Sequence, residues 1–334
     1  MKSLSLIAYA CTWLLQTQVA SSLPTYNLEK RTARTSPPSG CLVVRGSGTG
    51  AGEYSTLSAA VAALGSSSAA ACIFIYSGTY TEAIRIAYGG ALTLYGYTTD
   101  YGEQKYNTVT ITRNESSAEA GDLDDSSAVN VVSSNFRAYN INFSNTYGQG
   151  AQAVALTANG DQQSYYACGF YGYQDTLYAK AGKQYYSNCY VEGAVDFIFG
   201  AAAAWFGECT IASNGGGAIT ANSRSSTTDT TWYVIDSSRI TAASGYSLSE
   251  KVYLGRPWRQ YARVIFQNSD LTDVVNPAGW TTLYAGATPI FEEYGNTGDG
   301  SNTSDRVEET TATAAVTKTQ LWDDSWADWI DTTW

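Results

Sequence analysis

The sequence predicts an all-β protein that folds as a parallel β-helix, a solenoid of stacked strands, with capping helices at both ends. The first indication is composition: the 334 residues are rich in Tyr, Thr, Ser, Gly, Ala and Val and poor in Lys, Glu and Leu, which favours strands over helices. The second is a repeat of about twenty residues in the central part of the chain. The third is that Gly and Asn, rather than long helical segments, separate the repeated units.

The repeat aligns on five small residues, spaced at intervals of 21, 20, 29 and 31 residues: Cys168, Cys189, Cys209, Ser238 and Ser269. Three residues before each anchor, the chain has Tyr165, Tyr186, Phe206, Ile235 or Phe266. Two residues after each anchor, it has Phe170, Val191, Ile211, Ile240 or Leu271. A short apolar repeat with occasional insertions is typical of a solenoid whose loops lie on one face. Chance alternation in a β-sandwich is the alternative, but sandwich strands do not require cysteines at one-coil intervals.

Both ends of the repeat region carry short amphipathic segments that predict packing helices over the coil ends. In residues 54–65, Leu57, Val61 and Leu64 share one helical face, and Ser55 or Thr56 is a suitable N-cap. Near the C-terminus, a second apolar face is formed by Trp322, Trp326, Trp329 and Ile330. The polar, Gly-rich residues 295–304 are interpreted as a linker to this last helix.

The N-terminus is typical of a secreted protein. Residues 1–21 are interpreted as a signal peptide, because Lys2 is followed by a short apolar run and then by the small residues Ala20 and Ser21. A membrane anchor is the alternative, but the run is too short to span a bilayer. Residues 22–40 are interpreted as a short pro-segment or linker, and residues 41–334 as one catalytic domain. The Lys30-Arg31 pair fits a processing site and a solvated charge pair equally well.

Charge and cysteine content restrict the partners and the compartment. With a formal net charge of −11 and a pI near 4.5, the chain is not expected to bind nucleic acid or anionic membranes. Five cysteines beyond the predicted signal peptide indicate two disulfides and one leftover thiol. Sequons at Asn114, Asn142 and Asn302 fit the same extracellular compartment.

Two aspartates occupy equivalent positions in neighbouring repeats. Asp175 and Asp196 are 21 residues apart, the same interval as Cys168 to Cys189. In a parallel β-helix this places them one strand spacing apart, about 4.8 Å. Two carboxylates that close do not both ionise easily, so one pKa is expected to rise while the other stays low. The chain contains no histidine, and such a pair can divide the roles of general acid and nucleophile without one.

Three further polar residues are candidates for the same site. Gln152 and Gln174 are neutral amide donors, which can stabilise an oxyanion without titrating. Arg256 can hold one carboxylate by a bidentate pair and fix its direction. The alternative for each residue taken singly is an ordinary salt bridge or a surface glutamine. Without histidine or a Cys/His cluster, no metal or cofactor is expected.

The segments that contain these residues resemble a known family. "GTYTEAI", "QAVAL", "GYQDTLY", "DFIFG" and "LGRPW" occur in that order, and they are similar to the signature segments of pectin methylesterases of the microbial, secreted type. The resemblance extends from about residue 46 to residue 280 and implies a right-handed parallel β-helix. It also implies that Asp196 is the nucleophile and Asp175 the general acid and then base.

The resemblance further implies that Gln152 and Gln174 stabilise the oxyanion and that Arg256 orients Asp196. Tyr178, Phe199 and Trp258, together with Arg256, match the substrate-cleft positions of the family. The implied reaction is hydrolysis of methyl esters of galacturonate units in pectin. It releases methanol through an aspartyl acyl-enzyme and needs no cofactor. We therefore expect a secreted, extracellular monomer whose partner is pectin.

The disulfide pairing remains open from spacing, because Cys168 and Cys209 both lie one coil from Cys189. The resemblance favours a Cys189–Cys209 bridge, which leaves Cys41 and Cys72 to pair and Cys168 as a buried free thiol.

Three other functions fit part of the pattern. A retaining glycosidase also uses two carboxylates roughly 5 Å apart, but the polygalacturonase pattern includes a histidine. A polysaccharide lyase usually has an acidic calcium-binding cluster, and none stands out in the sequence. A non-catalytic adhesin has no reason to combine the carboxylate pair with glutamines and an arginine. Methanol release without new reducing ends distinguishes the esterase from all three.

Overall fold

Short strands follow one another through the chain in the computed structural model, which describes residues 33–334. The predicted signal peptide and the Lys30-Arg31 pair lie outside the described residues. The first strands are β1 (Leu42–Val44), β2 (Ala71–Ile75), β3 (Gly78–Thr81), β4 (Ile84–Ile86), β5 (Leu92–Gly96), β6 (Val109–Arg113), β7 (Val129–Val131), β8 (Phe136–Tyr139) and β9 (Asn142–Asn145). The central strands are β10 (Leu156–Asn159), β11 (Gln163–Tyr166), β12 (Gly169–Tyr171), β13 (Leu177–Ala181), β14 (Lys183–Ser187), β15 (Tyr190–Gly193), β16 (Ile198–Gly200), β17 (Ala203–Gly207) and β18 (Thr210–Ser213).

The last strands are β19 (Gly217–Asn222), β20 (Tyr233–Asp236), β21 (Arg239–Ala242), β22 (Val252–Pro257), β23 (Arg263–Gln267), β24 (Asp270–Leu271) and β25 (Ile290–Tyr294). The helices are short: α1 (Leu57–Ala63), α2 (Ser117–Ala120), α3 (Lys318–Trp322), α4 (Trp326–Trp329) and a 3₁₀ helix at Gln104–Tyr106.

The strands form three sheets, and each central coil of the chain contributes one strand to each sheet, whereas the coils at the ends are incomplete. Sheet 1 has the order β1-β2-β5-β8-β11-β14-β17-β20-β23-β25. Sheet 2 has the order β22-β19-β16-β13-β10-β7-β4, and sheet 3 has the order β24-β21-β18-β15-β12-β9-β6-β3. Neighbouring strands pair in parallel, as in β11 with β14 and β13 with β16. This arrangement confirms the predicted parallel β-helix.

The predicted repeat is confirmed residue by residue in the register of the sheets. In sheet 1, Tyr165 aligns with Tyr186, Tyr186 with Phe206, and the row continues to Ile235 and Phe266. In sheet 3, the corresponding row is Phe170, Val191, Ile211, Ile240 and Leu271. These side chains point into the core, where the rings of Tyr186 and Phe206 stack with centroids 4.4 Å apart. Repetition of one apolar position in every coil therefore produces a continuous core along the solenoid axis.

A sharp backbone turn connects sheet 1 to sheet 3 in each central coil. The residue just before each repeat anchor has a positive φ: Ala167 (44°), Asn188 (52°), Glu208 (55°), Ser237 (49°) and Asn268 (51°). This left-handed conformation bends the chain sharply from one sheet to the next, and Asn tolerates it better than most side chains. The turn explains why small residues follow at the anchor, where the chain enters the core.

The predicted Cys189–Cys209 bridge is wrong in this structure, whereas Cys41–Cys72 is a disulfide with a Cα separation of 4.6 Å. Cys168, Cys189 and Cys209 are buried free thiols. All three follow the same left-handed turn at aligned positions of neighbouring coils, which favours parallel side chains over the convergent geometry that a disulfide requires. Each thiol donates to backbone carbonyl groups instead, as Cys189 does to Tyr165 at 3.4 Å. Cys41 lies outside the regular strands, before β1, where its side chain can turn toward Cys72.

The N-terminal helix agrees with its prediction. Thr56 is the N-cap of α1, and its side chain accepts a hydrogen bond from the backbone N–H of Ala59. Leu57 and Ala60 are buried, while Val61 and Leu64 pack at the edge of the core. The helix therefore covers apolar surface at the first coils of the solenoid.

The C-terminal aromatic segment differs from its prediction in form and position. It forms two short helices, α3 and α4, interrupted at Asp323, which has a φ of 64°. Its tryptophans pack along the outer face of sheet 1, against Trp205, Trp232 and neighbouring apolar residues, rather than over the last coil. The Nε1 atom of Trp322 donates to the Ala203 carbonyl at 2.9 Å. The reason is that sheet 1 exposes aromatic rings on its outer face, which offers more apolar surface than the end of one coil.

The predicted linker also has a packed structure. The backbone N–H of Thr297 donates to Ser269, and that of Gly300 donates to Leu271, at 2.8 Å each. Residues 295–304 therefore pack next to β24, at the end of sheet 3. No helix among residues 33–334 combines the length and apolar character needed to cross a membrane.

Candidate active site

The two aspartates lie at the start of neighbouring strands in sheet 2. Asp175 precedes β13 and Asp196 precedes β16, and the register Leu177 with Ile198 places both at the same point of adjacent coils. The predicted stacking is therefore confirmed. Both residues have positive φ angles, 64° and 51°. Their side chains line the same cleft, and the residues are only 3% and 8% exposed.

Arg256 holds the second aspartate in a fixed orientation. It lies in β22, and its Nε and one terminal nitrogen donate to the two carboxylate oxygens of Asp196, both at 2.7 Å. This bidentate geometry is the strong form of an arginine–carboxylate pair. The hydrogen bonds to Asp196 raise the pKa of Arg256. The salt bridge holds the Asp196 carboxylate in one direction.

Asp175 has the opposite electrostatic environment. Burial raises its pKa well above the ordinary range, and the neighbouring negative charge of Asp196 raises it further. A hydrogen bond from the Gln152 side chain and the positive charge of Arg256 oppose this rise. The surroundings therefore favour the protonated form of Asp175, beside a carboxylate that Arg256 holds in a bidentate ion pair.

An aromatic wall borders the carboxyl pair. Tyr178 and Phe199 occupy aligned positions in β13 and β16, and their rings stack with centroids 4.2 Å apart. The indole of Trp258 packs against the ring of Phe199, and the two ring centroids are 5.8 Å apart. Ala221 is the aligned residue between Phe199 and Arg256, and its small side chain leaves room above the sheet. Flat apolar surface beside polar groups is typical of sites that bind the faces of ligand rings.

The cleft has a volume of about 400 Å³. Among the residues singled out in the sequence, those that line it are Gln152, Gln174, Asp175, Asp196, Phe199, Arg256 and Trp258. Tyr178 lies beside this cleft through its stack with Phe199. The backbone N–H of Ala153 donates to the Gln174 carbonyl at 3.0 Å, so the two glutamines belong to adjacent coils.

Sequence reasoning missed four residues that line the same cleft: Ala221, Arg259, Leu283 and Tyr284. Arg259 directly follows the "LGRPW" segment, so its position in the sequence was a usable signal. Leu283 and Tyr284 belong to a loop between β24 and β25 that has no recognisable pattern. Both are exposed, and the backbone N–H of Tyr284 donates to the Pro257 carbonyl at 3.1 Å, which brings the loop to the cleft. No group of three or more His, Cys, Asp or Glu side chains in residues 33–334 is placed to hold a metal ion.

Comparison with known proteins identifies the family. The pectinesterase family model matches residues 42–332. A probable pectinesterase A from Aspergillus niger is 59% identical over 312 residues, covering 93% of this chain and 94% of the relative. Pectinesterase A from Emericella nidulans is 60% identical over 302 residues, covering 90% of this chain and 92% of the relative.

Solved structures agree with this result. The pectin methylesterase of A. niger superposes with a TM-score of 0.88 at 60% identity, covering 90% of this chain and all of that chain (100%). The carrot pectin methylesterase superposes with a TM-score of 0.76 at 33% identity, covering 84% and 90% of the two chains. With two stacked carboxyl groups in its cleft, one of them bound by an arginine, and with these relatives over most of its length, the chain belongs to the pectinesterase family.

Proposed function

We propose that this protein removes methyl esters from galacturonate units of pectin with Asp196 as the nucleophile and Asp175 as the proton carrier. Membership of the pectinesterase family makes the chain a carboxylic ester hydrolase that demethylesterifies pectin, releasing methanol. The observation that carries the residue roles is the unlike state of the stacked pair. Asp196 is ionised in its salt bridge with Arg256, whereas burial favours the protonated form of Asp175.

The first half of the reaction uses each group in the state the site favours. A carboxylate oxygen of Asp196 attacks the ester carbonyl carbon, and Arg256 keeps that carboxylate in place. The side-chain amides of Gln152 and Gln174 donate to the oxyanion that forms. Asp175 then gives its proton to the ester oxygen as the carbon–oxygen bond breaks. Methanol leaves, and an anhydride joins Asp196 to the galacturonate.

The second half reverses the roles. Asp175 is now a carboxylate, and it accepts a proton from a water molecule that attacks the acyl carbon. The bond to Asp196 breaks, Asp175 is again protonated, and the galacturonic acid that is released loses its remaining proton to the solvent and becomes a carboxylate. No histidine is needed, because one carboxyl group, that of Asp175, gives up a proton in the first half and regains one in the second.

Tyr178, Phe199 and Trp258 would bind the sugar faces of the substrate on both sides of the reacting ester. Stacking of a sugar face on an aromatic ring removes apolar surface from water and leaves the hydroxyl groups at the edges free for hydrogen bonds. The proposal places the galacturonate chain along sheet 2, across the strands that bear the catalytic pair.

The enzyme would act as an extracellular monomer. The acidic surface and the disulfide fit a secreted protein. The A. niger relative is described in a form with an N-acetylglucosamine stub. In this chain the sequon asparagines Asn114 and Asn302 are exposed, so these two would carry glycans. Asn142 is half-buried, and its side-chain oxygen accepts a hydrogen bond from Asn107 at 3.1 Å, which makes it a poor acceptor site.

Substitution of the pair tests the assignment. Asp196→Asn and Asp175→Asn should each lower methanol release from highly esterified pectin by about 10³-fold or more, because an amide is neither a nucleophile nor a proton donor of suitable pKa. Both variants should keep their melting temperatures, since each removes one of two crowded carboxyl groups.

Asp270→Asn is the matched control, because Asp270 lies on sheet 3 and pairs with Arg239 at 2.6 Å, away from the cleft. Its activity should equal that of the wild type. Near-normal methanol release by either site variant would overturn the residue roles. New reducing ends in the wild-type digest would instead indicate glycosidic cleavage.

A further inference from the structure

Two long loops connect sheet 2 to sheet 1 beside the catalytic cleft. After β16 the same connection consists only of residues 201–202, whereas it consists of residues 223–232 after β19 and of residues 258–262 after β22. The second of these long loops begins with Trp258, which lines the cleft. Trp258 is only half-buried, and its ring centroid lies 5.8 Å from that of Phe199. The position of the indole over the cleft therefore depends on the backbone of its loop.

Backbone hydrogen bonds attach this loop to the neighbouring coil. The N–H of Trp258 donates to the carbonyl of Asn222, and the N–H of Tyr261 donates to the carbonyl of Arg224, at 3.1 Å each. Just after the loop, the N–H of Arg263 donates to the side-chain oxygen of Asn222 at 3.0 Å. The loop that carries the indole therefore takes its position from the end of β19 and the start of the loop that follows β19.

The side chain of Arg224 joins the two loops. Arg224 is only 5% exposed. Its Nε donates to the Asp229 carbonyl at 2.8 Å, and one terminal nitrogen donates to the Thr227 carbonyl at 2.9 Å. The other terminal nitrogen donates to the Tyr261 carbonyl at 3.1 Å. Two acceptors thus lie in the loop of Arg224 itself and the third in the loop that carries Trp258. A planar guanidinium suits this role, because its N–H groups point in several fixed directions.

We propose that Arg224 is a positioning residue for substrate binding, which holds the Trp258 indole over the catalytic cleft by joining the loops 223–232 and 258–262. This inference rests on the proposed function, in which Trp258 binds a sugar face. Arg224 does not line the cleft itself, so it acts through the backbone of the second loop rather than by contact with pectin.

The catalytic pair should not depend on this contact. Arg256 lies in β22, where it aligns with Ala221 of β19 in the parallel ladder, and it keeps its two hydrogen bonds to Asp196. Loss of the Arg224 side chain should therefore loosen the loop after β22 without moving the salt bridge. A sugar contact that is made equally in the bound substrate and in the transition state changes KM and leaves kcat unchanged.

A double-mutant cycle tests the proposal, with KM and kcat measured for methanol release from highly esterified pectin. Arg224→Met and Trp258→Ala should each raise KM about five- to tenfold, while kcat stays within about twofold of the wild type. The double variant should have the KM of Trp258→Ala alone, because without the indole the loop has no substrate contact left to position. Arg224→Lys keeps the charge but not all three contacts, so it should raise KM less. It replaces Arg224→Met in the cycle where that variant does not fold.

Arg34→Met is the matched control. Arg34 is half-buried, donates to the Gly96 carbonyl at 3.0 Å and packs on the ring of Tyr95. It lies beside β5 of sheet 1, away from the cleft. Both Arg→Met variants remove a guanidinium that satisfies a backbone carbonyl, so both should lower the melting temperature. Arg34→Met should nevertheless keep the wild-type KM, which distinguishes lost stability from lost positioning.

Three results would overturn this inference alone. The first is an unchanged KM in the Arg224 variants while Trp258→Ala raises KM. The second is a double variant whose KM increase equals the product of the two single increases, since Arg224 would then act independently of Trp258. The third is an equal rise of KM in Arg34→Met, which would assign the effect to stability. An unchanged KM in Trp258→Ala would instead contradict the role of Trp258 in the proposed function, and this inference with it.

Discussion

At the scale of single residues, the properties of the site come from a contrast between two aspartates at equivalent positions. Asp196 accepts two hydrogen bonds of 2.7 Å from Arg256. Asp175, in contrast, is buried beside the negative charge of Asp196, and both features raise its pKa. The same residue type in the same turn conformation therefore has two different environments, and the environment of Asp175 raises its pKa. Gln152 contributes to this balance, because its hydrogen bond stabilises the charged form of Asp175 and lowers its pKa.

Gln152→Leu is expected to change the pH dependence as well as the rate. Asp175 must be protonated in the free enzyme, so kcat/KM falls as the pH rises through its pKa. Removal of the Gln152 hydrogen bond raises that pKa, and the alkaline limb of the kcat/KM profile should move to higher pH. The rate at the optimum should drop by about 10²-fold, since one oxyanion donor is lost. Methanol release measured across the pH range on esterified pectin checks both effects.

Gln174→Leu distinguishes stabilisation of the oxyanion from the effect on the pKa of Asp175. Gln174 also lines the cleft, but the pKa of Asp175 is not influenced by a hydrogen bond from it. This variant should lose activity to a similar extent without a shift of the alkaline limb. A shift of equal size in both variants would contradict the assignment of the Gln152 hydrogen bond.

At the scale of structural elements, the turn between sheet 1 and sheet 3 is repeated with residue types that differ in how well they tolerate its left-handed conformation. Asn188 and Glu208 occupy the same position on adjacent coils, with φ angles of 52° and 55°. Asn adopts this left-handed conformation readily, whereas an unbranched acidic side chain such as Glu is rarely found there. Glu208 is exposed, so its side chain contributes little packing to offset the strain.

Glu208→Asn should therefore increase the free energy of unfolding by about 0.5–1 kcal/mol, by relieving part of the left-handed strain. The reciprocal change Asn188→Glu should decrease it by at least as much, because it also removes the hydrogen bond from Ser187 at 2.9 Å. Denaturant unfolding of both variants provides the measurement. Changes of the same sign in the two proteins would show that strain at this position does not determine their stability.

At the scale of the whole molecule, the solenoid is restrained covalently at one end and packed laterally along its length. The Cys41–Cys72 disulfide closes 31 residues around the first coil and is expected to contribute about 3–4 kcal/mol in the chain-entropy account. Along the side of the solenoid, the C-terminal segment crosses sheet 1. It reaches as far as Arg137 in β8, whose guanidinium donates to the Trp329 carbonyl at 2.9 Å. The ends of the chain thus stabilise coils that are distant in sequence.

Thiol titration tests the covalent structure directly. In a protein comprising residues 33–334, unfolding without reductant should expose three thiols, those of Cys168, Cys189 and Cys209. The folded protein should react slowly, because all three thiols are buried. One exposed thiol after unfolding would mean that two of the core cysteines are bridged, and peptide mapping would then identify the pair.

The sequence is sufficient to predict the architecture and the position of the carboxyl pair. Apolar residues at one-coil intervals specify the parallel β-helix, since parallel strands place equivalent residues side by side. The equal spacing of Asp175 to Asp196 and Cys168 to Cys189 was therefore enough to predict the stacking that the register confirms. The helix α1 was predictable for a similar reason, because its apolar face and N-cap are local properties of residues 54–65.

Tertiary structure decided what depends on side-chain direction and on contacts between distant segments. Spacing places Cys189 beside Cys209, but the shared turn conformation keeps their side chains parallel and unbridged. The tryptophans of α3 and α4 bind the side of sheet 1 because its exposed rings offer a larger apolar surface than the end of a coil, which no local pattern reveals. Arg259 and Tyr284 join the cleft only when β22 and the loop after β24 meet, so their proximity to Asp196 follows from the fold.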